Sequence, residues 1–416
     1  MKFGLRGIRG LLKDVGNPHR AFSSIHIAGS NGKGSTAAMI AAILTSAGYR
    51  VGLYTSPHLM DFRERIRING VSVSQKTVLG HLGKLRAPIE KRNVTFFEAA
   101  TALAFLCFAE RHVDVAVIET GLGGRLDATN VIKPLLCVIT SISLEHAQIL
   151  GNSLRAIAYE KAGIIKSEVP CVTGVRNSSV LQVIRKTCRL QRSSLMETGR
   201  IRCRVNTRNL KGSVVSFTVG GLRLENLRLD LPGEFQARNA VTAVAALPVL
   251  SRAGLKIRER DIRGGLRSVR RKTGLHGRLS VHGTRPRLIM DVAHNPAAIL
   301  SLVGALKKIG IANVTLVFGV MADKQFRRMV QLLSTITGSA IAVQPGTNRA
   351  VRAEEIEGEF RRIGVPVRCS LSVREGLNMA KTTAGKNGTV LVTGSHFVVG
   401  EALAALEGKK YLTINQ

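Results

Sequence analysis

The chain has 416 residues, 45% of them apolar, and its 42 glycines and 11 prolines fit an ordered globular protein. This length is sufficient for two or three domains with more than one hydrophobic core. The 61 lysines and arginines against 27 aspartates and glutamates give a net charge of +34, which favours anionic partners. However, the chain has no Trp and only 4 Tyr, and it lacks a zinc-finger spacing, so no specific nucleic-acid binding is expected.

The first predicted elements form a strand–helix–strand unit. Residues Ser24–Gly29 predict a buried strand, Thr36–Ala47 an alanine-rich helix and Tyr49–Tyr54 a second strand. The alternation then continues with a helix over Phe97–Glu110, strands over Val113–Glu119 and Leu135–Ser141, a helix over Leu154–Ala162 and a strand over Val169–Thr173. This rhythm predicts a parallel sheet covered by helices.

The pattern then changes and later returns. Short alternating strands over Arg200–Leu231 predict an antiparallel sheet, Asn239–Gly254 predicts a helix, and the basic segment Arg267–Gly277 predicts an inter-domain linker. The later elements are a strand over Leu288–Asp291, a helix over Ala297–Leu306 and strands over Val314–Val320 and Thr389–Gly394. We therefore predict two α/β domains, residues 1–271 and 272–416, with a hinge near residue 272.

Neither a membrane span nor a disulfide framework is predicted. No apolar run approaches the roughly 18 residues that a spanning helix requires, and the N-terminus lacks the apolar stretch of a signal peptide. The 6 cysteines are scattered and contain no Cys-x-x-Cys pair, so a zinc site is not expected either. We expect a cytoplasmic chain that does not bind membranes.

A glycine-rich turn connects the first predicted strand to the first predicted helix. It consists of Gly29, Ser30, Asn31, Gly32, Lys33, Gly34, Ser35 and Thr36. Small residues let backbone N–H groups close on phosphate oxygens, the helix N-terminus adds positive potential, and Lys33 adds a point charge. The spacing departs from the general P-loop pattern, because Gly34 follows the lysine before Ser35. In its strand–turn–helix context the turn predicts nucleotide binding.

Three further residues fall where predicted strands end. Ser56 follows the second strand, Glu119 ends the strand that begins at Val113, and His146 comes shortly after the strand over Leu135–Ser141. Each has an ordinary structural explanation by itself, as a turn former, a capping charge or a satisfied polar residue. Ligands of open parallel sheets bind outside the carboxyl ends of the strands. Together with the phosphate loop, the three residues favour Mg²⁺–nucleotide chemistry.

Ten motifs follow one another along the chain: HIAGSNGKGS over residues 26–35, GLYTSPHL over 52–59, ERIRI over 64–68, TFFE over 95–98, ETGLGGRLDATN over 119–130, EKAGII over 160–165, GR at 277–278, DVAHNP over 291–296, DK at 323–324 and TGS over 393–395. These motifs resemble those of the folylpolyglutamate synthase/dihydrofolate synthase family, a branch of the Mur ligase superfamily. They run in family order through most of the chain. The GLGGRLDATN string is specific to this branch, which argues against a muramyl-peptide ligase.

The resemblance implies a P-loop-type parallel-sheet ATPase domain, followed by a smaller Rossmann-like α/β domain, with the active site between them. It implies that ATP contacts the loop residues 29–36 together with Asn239, Arg278 and Asp291. One Mg²⁺ would be bound by Ser56, Glu119 and His146, and a second by Lys161 as a carbamate. A monovalent cation such as K⁺ is a further possible ion of this family.

The same resemblance implies how the substrates bind and react. Phe97, Glu98, His294 and Ser395 would contact the substrates, and Lys33, Lys161, His146, Asp291 and His294 would be the catalytic residues. ATP would phosphorylate a folate-type carboxylate, and the amine of glutamate would attack the acyl phosphate. The expected substrates are ATP, glutamate and a tetrahydrofolate or dihydropteroate, and the expected state is a monomer.

Some positions depart from the family pattern and leave alternatives open. Glu145 stands where the family usually has Asp, Leu275 and His276 precede Gly277-Arg278 in place of a proline, and Gln325 replaces a second Asp. The chain also begins late relative to the segment that helps bind the pterin in relatives. Dihydrofolate synthase activity, alone or combined, therefore stays an alternative. The +34 charge leaves a nucleic-acid-binding P-loop protein as the non-enzyme alternative.

Overall fold

The computed structural model describes residues 4–411. Within this range the α-helices are α1 (Arg6–Asp14), α2 (Lys33–Ser46), α3 (Gln75–Arg92), α4 (Phe96–Glu110), α5 (Ala147–Leu150), α6 (Leu154–Ala162), α7 (Ser178–Leu190), α8 (Glu234–Ala245), α9 (Leu247–Arg252), α10 (Glu259–Leu266), α11 (Val269–Thr273), α12 (Pro296–Lys308), α13 (Phe326–Ser334), α14 (Ala353–Arg362), α15 (Val373–Ala384) and α16 (His396–Leu406). None of these helices is long and apolar enough to cross a membrane.

The strands of the same range form three sheets. They are β1 (Ser23–Ala28), β2 (Val51–Tyr54), β3 (Ile66–Ile68), β4 (Val71–Ser72), β5 (Val115–Glu119), β6 (Leu136–Ile139), β7 (Cys171–Thr173), β8 (Leu195–Glu197), β9 (Cys203–Asn209), β10 (Gly212–Val219), β11 (Leu222–Leu229), β12 (Ser280–Thr284), β13 (Arg287–Met290), β14 (Val314–Phe318), β15 (Thr337–Val343), β16 (Val367–Ser370) and β17 (Thr389–Thr393).

The first sheet has eight strands in the order β4-β3-β2-β5-β1-β6-β7-β8. Strands β2, β5, β1, β6, β7 and β8 are parallel to one another. Strands β3 and β4 are added antiparallel at the edge next to β2. Val115–Glu119 is buried throughout, as expected for a strand with helices on both faces. This order places the carboxyl ends of β2, β5, β1 and β6 side by side, beside the start of α2.

The second and third sheets complete the molecule. The antiparallel β9–β11 meander packs its apolar face, with Val215, Phe217 and Leu227, into the same core as α2 and α8. The C-terminal sheet has the order β12-β13-β17-β14-β15-β16, and only its edge strand β12 is antiparallel. The predicted α/β fold, with one large and one smaller parallel sheet, is confirmed.

Two predicted segments differ from the structure. The helix predicted over Asn239–Gly254 begins five residues earlier, at Glu234, and divides into α8 and α9, because Pro248 cannot continue the hydrogen-bond ladder of α8. The predicted irregular linker Arg267–Gly277 contains the helix α11, whose Val269 and Thr273 are buried. The segment was predicted to be irregular because its basic residues outnumber the two buried positions, Val269 and Thr273. The irregular part of the connection therefore begins only at Gly274.

The close contact between α10 and α2 gives a test of this packing. A Cβ atom on Gly265 would lie 2.6 Å from the Cα atom of Ile43, whereas a Cβ atom on the preceding Gly264 would meet nothing closer than 3.7 Å. We expect Gly265→Ala to lower the free energy of unfolding by about 1–3 kcal/mol through overpacking. Gly264→Ala should leave it unchanged or raise it by up to about 1 kcal/mol, since alanine favours the helix. Urea denaturation measures both, and equal effects of the two substitutions would contradict this packing.

Candidate active site

The glycine-rich turn forms a compact loop between the end of β1 and the first turn of α2. Gly32 has a φ of +88°, and a Cβ atom on it would lie 2.5 Å from Oδ1 of Asn239. A Cβ atom on Gly34 would lie 3.3 Å from Oε2 of Glu119 and 3.6 Å from a terminal nitrogen of Arg278. Gly32 therefore lets Asn239 approach the loop, and Gly34 lets Glu119 and Arg278 approach the helix start. The first N–H groups of α2 have no partner within the helix and face this space.

Side chains from other elements hold the loop in place. Nζ of Lys33 donates hydrogen bonds to the carbonyl oxygens of Gly29 at 3.0 Å and Ser30 at 3.4 Å. Oγ of Ser35 accepts from Nε2 of Gln236 at 3.1 Å, and Oε1 of Gln236 accepts from Nδ2 of Asn239 at 3.0 Å. Gln236 on α8 was not predicted, because a single glutamine gives no indication in the sequence that it contacts Ser35, 201 positions away.

A cavity of about 1620 Å³ opens in front of the loop and lies between the two domains. This volume exceeds the roughly 300–1,000 Å³ of a typical single-ligand pocket, so the cavity has room for more than one substrate. The structure brings together at its wall nearly all of the predicted site residues, namely Ser30, Asn31, Gly32, Lys33, Gly34, Ser35, Ser56, Phe97, Glu98, Glu119, His146, Lys161, Asn239, Arg278, Asp291, His294 and Ser395. Gly29 and Thr36 lie behind the wall.

Two of the predicted metal ligands are neighbours. Glu119 ends β5 and Ser56 follows the adjacent parallel strand β2, and the backbone N–H of Ser56 donates to Oε2 of Glu119 at 3.3 Å. Burial raises the pKa of the Glu119 carboxyl, while the cations of Lys33 and Arg278 oppose this shift. A buried carboxylate beside a serine provides hard oxygen donors of the kind that Mg²⁺ binds.

The third predicted metal ligand contacts the other domain. Nε2 of His146 lies 3.3 Å from Nζ of Lys324, and its Nδ1 lies 3.6 Å from Oδ2 of Asp323. Burial, with the charge of Lys324, lowers the pKa of His146 to about 4. The imidazole is therefore neutral at neutral pH, and its ring nitrogens face residues of the C-terminal domain. Within residues 4–411, no group of three His, Cys, Asp or Glu side chains is arranged as a metal site.

Lys161 forms a buried ion pair that the sequence did not predict. Its Nζ lies 2.9 Å from Oε1 of Glu145 and donates to the carbonyl oxygen of Gly29 at 2.9 Å. Burial opposes ionisation of Glu145, but the ammonium groups of Lys161 and Lys33 outweigh it and lower its pKa to about 2. Glu145 therefore stays a carboxylate at neutral pH and compensates the buried cation.

Asp291 is held at the inner end of β13. Its carboxylate accepts hydrogen bonds from the backbone N–H groups of Leu279 and Ala293, each at 2.9 Å. Burial raises the pKa of Asp291 to about 6, although the Arg278 guanidinium acts in the opposite direction. The carboxylate thus fixes the segment that carries Arg278 against the C-terminal sheet.

His294 and Ser395 lie at the C-terminal side of the cavity. Nδ1 of His294 donates to the carbonyl oxygen of Val292 at 2.9 Å, which leaves the lone pair on Nε2. Burial is the main cause that lowers the pKa of His294 to about 4. Its ring centroid lies 5.2 Å from that of His396. Oγ of Ser395 accepts from the backbone N–H of Val398 at 3.1 Å and so caps α16. The predicted substrate contact therefore also has a structural function.

The far end of the cavity is aromatic and carries one unexpected cation. Phe97 packs its ring on Gly121, whereas Glu98 accepts from N and Oγ1 of Thr95 in a capping box. Arg65 is 2% exposed, and Nη2 of its guanidinium is a buried donor without a hydrogen-bond partner among the described residues 4–411. Its Nε donates to Nδ1 of His58 at 2.8 Å. Arg65 belongs to the ERIRI motif, but the sequence alone assigns it no role.

Comparisons with known proteins agree with this architecture. The family profile described as Mur ligase middle domain matches residues 27–247, and that described as Mur ligase, glutamate ligase domain matches residues 277–396. The dihydrofolate synthase/folylpolyglutamate synthase of Bacillus subtilis is 34% identical over 411 residues, which cover 96% of this chain and 94% of the relative. A probable bifunctional folylpolyglutamate synthase/dihydropteroate synthase of Haloferax volcanii is 34% identical, and this chain spans about half (48%) of its length.

Solved structures show the same arrangement of both domains. The Mycobacterium tuberculosis folylpolyglutamate synthase complexed with ADP is 31% identical with a TM-score of 0.88, covering 98% of this chain and 95% of that one. Escherichia coli FolC in complex with DHPP and ADP is 30% identical with a TM-score of 0.88, covering 98% of this chain and 94% of that one. The family predicted from the motifs is thus confirmed, and the chain belongs to the folylpolyglutamate synthase/dihydrofolate synthase family of Mur ligases.

Proposed function

We propose that this protein uses ATP to join L-glutamate to a folate-type carboxylate through an acyl phosphate. One observation carries the proposal: a single cavity has a phosphate loop at its centre, an aromatic end with a buried arginine whose Nη2 has no partner among residues 4–411, and the Asp291–His294 segment of the second domain opposite them. Folylpolyglutamate synthase activity is the primary proposal, with dihydrofolate synthase activity in addition to it or in its place. We further propose a cytoplasmic monomer.

The loop and its neighbours would bind ATP. The first N–H groups of α2 and Nζ of Lys33 would hold the phosphates, because both are donors that face the cavity. Asn239 and Arg278 lie against Gly32 and Gly34, so they are placed to contact the nucleotide from the opposite side of the loop. The ADP in the related M. tuberculosis and E. coli structures supports this use of the cavity.

The acceptor would bind at the aromatic end. Phe97 offers a flat apolar wall for the ring system, and the free Nη2 donor of Arg65 suits a carboxylate oxygen. A carboxylate on Arg65 would also lie on the side of the cavity that contains Ser56 and Glu119. Its oxygen attacks the γ-phosphorus of ATP, and the bond from that phosphorus to the β–γ bridging oxygen breaks. Lys33 offsets charge on the transferring group.

The second half of the reaction would use the C-terminal domain. The amine of glutamate attacks the carbonyl carbon of the acyl phosphate, the carbon–oxygen bond to phosphate breaks, and the amine loses a proton. Nε2 of His294 carries a lone pair and faces the cavity, so it is placed to orient the amine or to accept that proton. Closure of the domains would keep water from the acyl phosphate.

The residues present fit one Mg²⁺ ion. Glu119 and Ser56 provide adjacent oxygen donors, and the orientation of the Glu119 carboxylate is fixed by the backbone N–H of Ser56. Bound there, Mg²⁺ would supply positive charge to the β- and γ-phosphate oxygens. His146 would complete this site from the other side of the cavity. The described residues give no observation in favour of a monovalent cation such as K⁺.

A second Mg²⁺ at Lys161 would need a change of charge. The ammonium group is paired with Glu145 at 2.9 Å, and an ammonium cannot bind a metal. A carbamate at this position would put two anionic groups next to each other in a buried site, which is stable only with a divalent cation between them. We therefore propose the carbamate only together with the second Mg²⁺.

The acceptor preference can be measured directly. Phosphate release from Mg²⁺-ATP with glutamate should require an added acceptor, and dihydropteroate and tetrahydrofolate are compared at equal concentration. Turnover with tetrahydrofolate alone would identify a folylpolyglutamate synthase, with dihydropteroate alone a dihydrofolate synthase, and with both a bifunctional enzyme. Lys33→Met serves as the inactive reference. Turnover with neither, by protein that is folded and binds ATP, would refute the proposed ligase activity.

The metal site predicts a specific defect for Glu119→Gln. The amide keeps the size of the side chain but removes its charge, so the Mg²⁺ concentration for half-maximal phosphate release should rise at least about tenfold. Glu90→Gln, in an exposed helical ion pair with Arg86, is the matched control and should leave the Mg²⁺ dependence unchanged. An unchanged Mg²⁺ requirement in Glu119→Gln would exclude Glu119 as a ligand.

Asp291 should make stability depend on pH. Its pKa of about 6 in the folded chain exceeds the unfolded value of about 3.9, so folding favours the protonated form. Ionisation therefore lowers stability, an effect absent below about pH 4 and complete above about pH 6. Between pH 4 and pH 7 the free energy of unfolding of the wild type should fall by about 3 kcal/mol relative to Asp291→Asn. Urea denaturation without Mg²⁺ and nucleotide tests this, and parallel pH curves would contradict it.

A further inference from the structure

The phosphate loop is joined to the second domain by a pair of side-chain amides. Nδ2 of Asn295 donates to Oδ1 of Asn31 at 3.0 Å, and Nδ2 of Asn31 donates back to Oδ1 of Asn295 at 3.3 Å. The two residues are 264 positions apart in the chain. Asn295 is 2% exposed, so both hydrogen bonds are shielded from water at that end. A reciprocal amide pair needs both side chains in one orientation and therefore fixes the distance between its two backbones.

Each asparagine is rigidly attached to its own domain. The backbone N–H of Asn31 donates to Oγ of Ser141 at 3.0 Å, and its carbonyl oxygen accepts from Oγ1 of Thr140 at 2.7 Å and from Oγ of Ser141 at 2.8 Å. Oδ1 of Asn295 also accepts from the backbone N–H of Ala298 at 2.9 Å, which makes Asn295 the N-cap of α12. The pair thus connects the end of β6 and the phosphate loop to the start of α12.

The position of α12 gives this connection a functional consequence. Ala297 and Ala298, in its first turn, line the cavity, and His294 directly precedes the cap. Displacement of Asn295 from Asn31 would therefore move the C-terminal wall and His294 away from the phosphates. The contact of Lys324 with His146 lies farther along the wall and does not touch the loop.

We infer that Asn31 and Asn295 form an inter-domain latch that keeps the second domain on the nucleotide-bearing loop while the acyl phosphate exists. Both are positioning residues, since they act through the placement of His294 and the exclusion of water. The inference rests on the proposed ligase function. Its chemical consequence is a branch point, because an acyl phosphate in an opened cavity is hydrolysed to the carboxylate and phosphate without forming an amide.

The test separates the latch from the helix cap. Asn31→Ala removes the pair without touching α12, and Asn295→Ser keeps a good N-cap while its short hydroxyl cannot also pair with Asn31. The ratio of phosphate released to amide formed is measured with saturating ATP, glutamate and acceptor. We expect a ratio near one for the wild type and a rise of at least about threefold in each variant. The double variant should show no further rise, since both substitutions break the same contact.

Two further measurements make the outcome decisive. Ser372→Ala removes the N-cap of α15, far from the cavity, and should lower the melting temperature without changing the ratio. Hydrogen exchange of the ADP-bound protein should be faster at residues 31–35 and 297–299 in Asn31→Ala and Asn295→Ser, whether or not ligation occurs. Unchanged ratio and exchange, or additive effects in the double variant, would overturn the latch. If the wild type binds ADP and the variants still differ from it in exchange, but the wild type forms no amide, the proposed function would be refuted instead.

Discussion

The carbonyl oxygen of Gly29 is the contact on which the geometry of the site depends. It accepts hydrogen bonds from two ammonium groups, Nζ of Lys33 at 3.0 Å and Nζ of Lys161 at 2.9 Å. Two like charges so close together in a mostly buried site repel, and the Glu145 carboxylate next to Lys161 offsets this repulsion. Among residues 4–411 Lys33 forms no direct ion pair, since the Glu145 carboxylate pairs with Lys161. The loop is therefore suited to an anion, and the triphosphate of the proposed ATP substrate would complete its charge balance.

The fold and most of the cavity wall could be predicted because the information is local. The strand–turn–helix of residues 24–47 and the alternating strands of Arg200–Leu231 have periodicities that a single sequence reveals. Ser56 and Glu119 could be placed together, since parallel strands bring their carboxyl ends to one edge. The family resemblance contributed Asn239, Arg278 and His294, whose positions at the cavity no periodicity would have indicated.

The remainder could not be predicted because it depends on contacts between distant segments. The ion pair of Lys161 with Glu145, the bond from Gln236 to Ser35 and the unpaired donor of Arg65 arise only when separate elements pack. The helix α11 was missed because three successive basic residues concealed its two buried positions, Val269 and Thr273. A sequence pattern indicates which residues of a helix or strand are buried, because burial follows the period of that element. The orientation of a polar side chain depends on a partner in another element, which the pattern does not show.

The net charge of +34 has a clearer meaning once the cavity is known. Arg176, Arg200, Arg202 and Arg238 are exposed, line one mouth of the cavity and form no ion pair with the described carboxylates. A cavity mouth with fixed positive charge raises the local concentration of anions, and every proposed substrate is anionic at neutral pH. The charge therefore requires no nucleic-acid partner. It suits an enzyme that must collect a nucleotide, glutamate and a carboxylate in one enclosed space.

The proposed closure of the domains would act on two kinds of contact between them, apolar and polar. Leu59 extends from the loop after β2 into the C-terminal core next to Val399, and it provides the apolar anchor. Around the cavity, polar contacts join the domains, namely the amide pair of Asn31 and Asn295, His146 with Lys324, and the ion pair of Lys308 with Glu234, and the cavity-lining Phe235 adds an apolar contact with the C-terminal core. Polar contacts of this kind each contribute only about 0.5–1.5 kcal/mol in exchange with water. If the proposed hinge opens, these polar contacts would separate at a small cost in free energy, whereas the apolar contacts of Leu59 would hold the domains together.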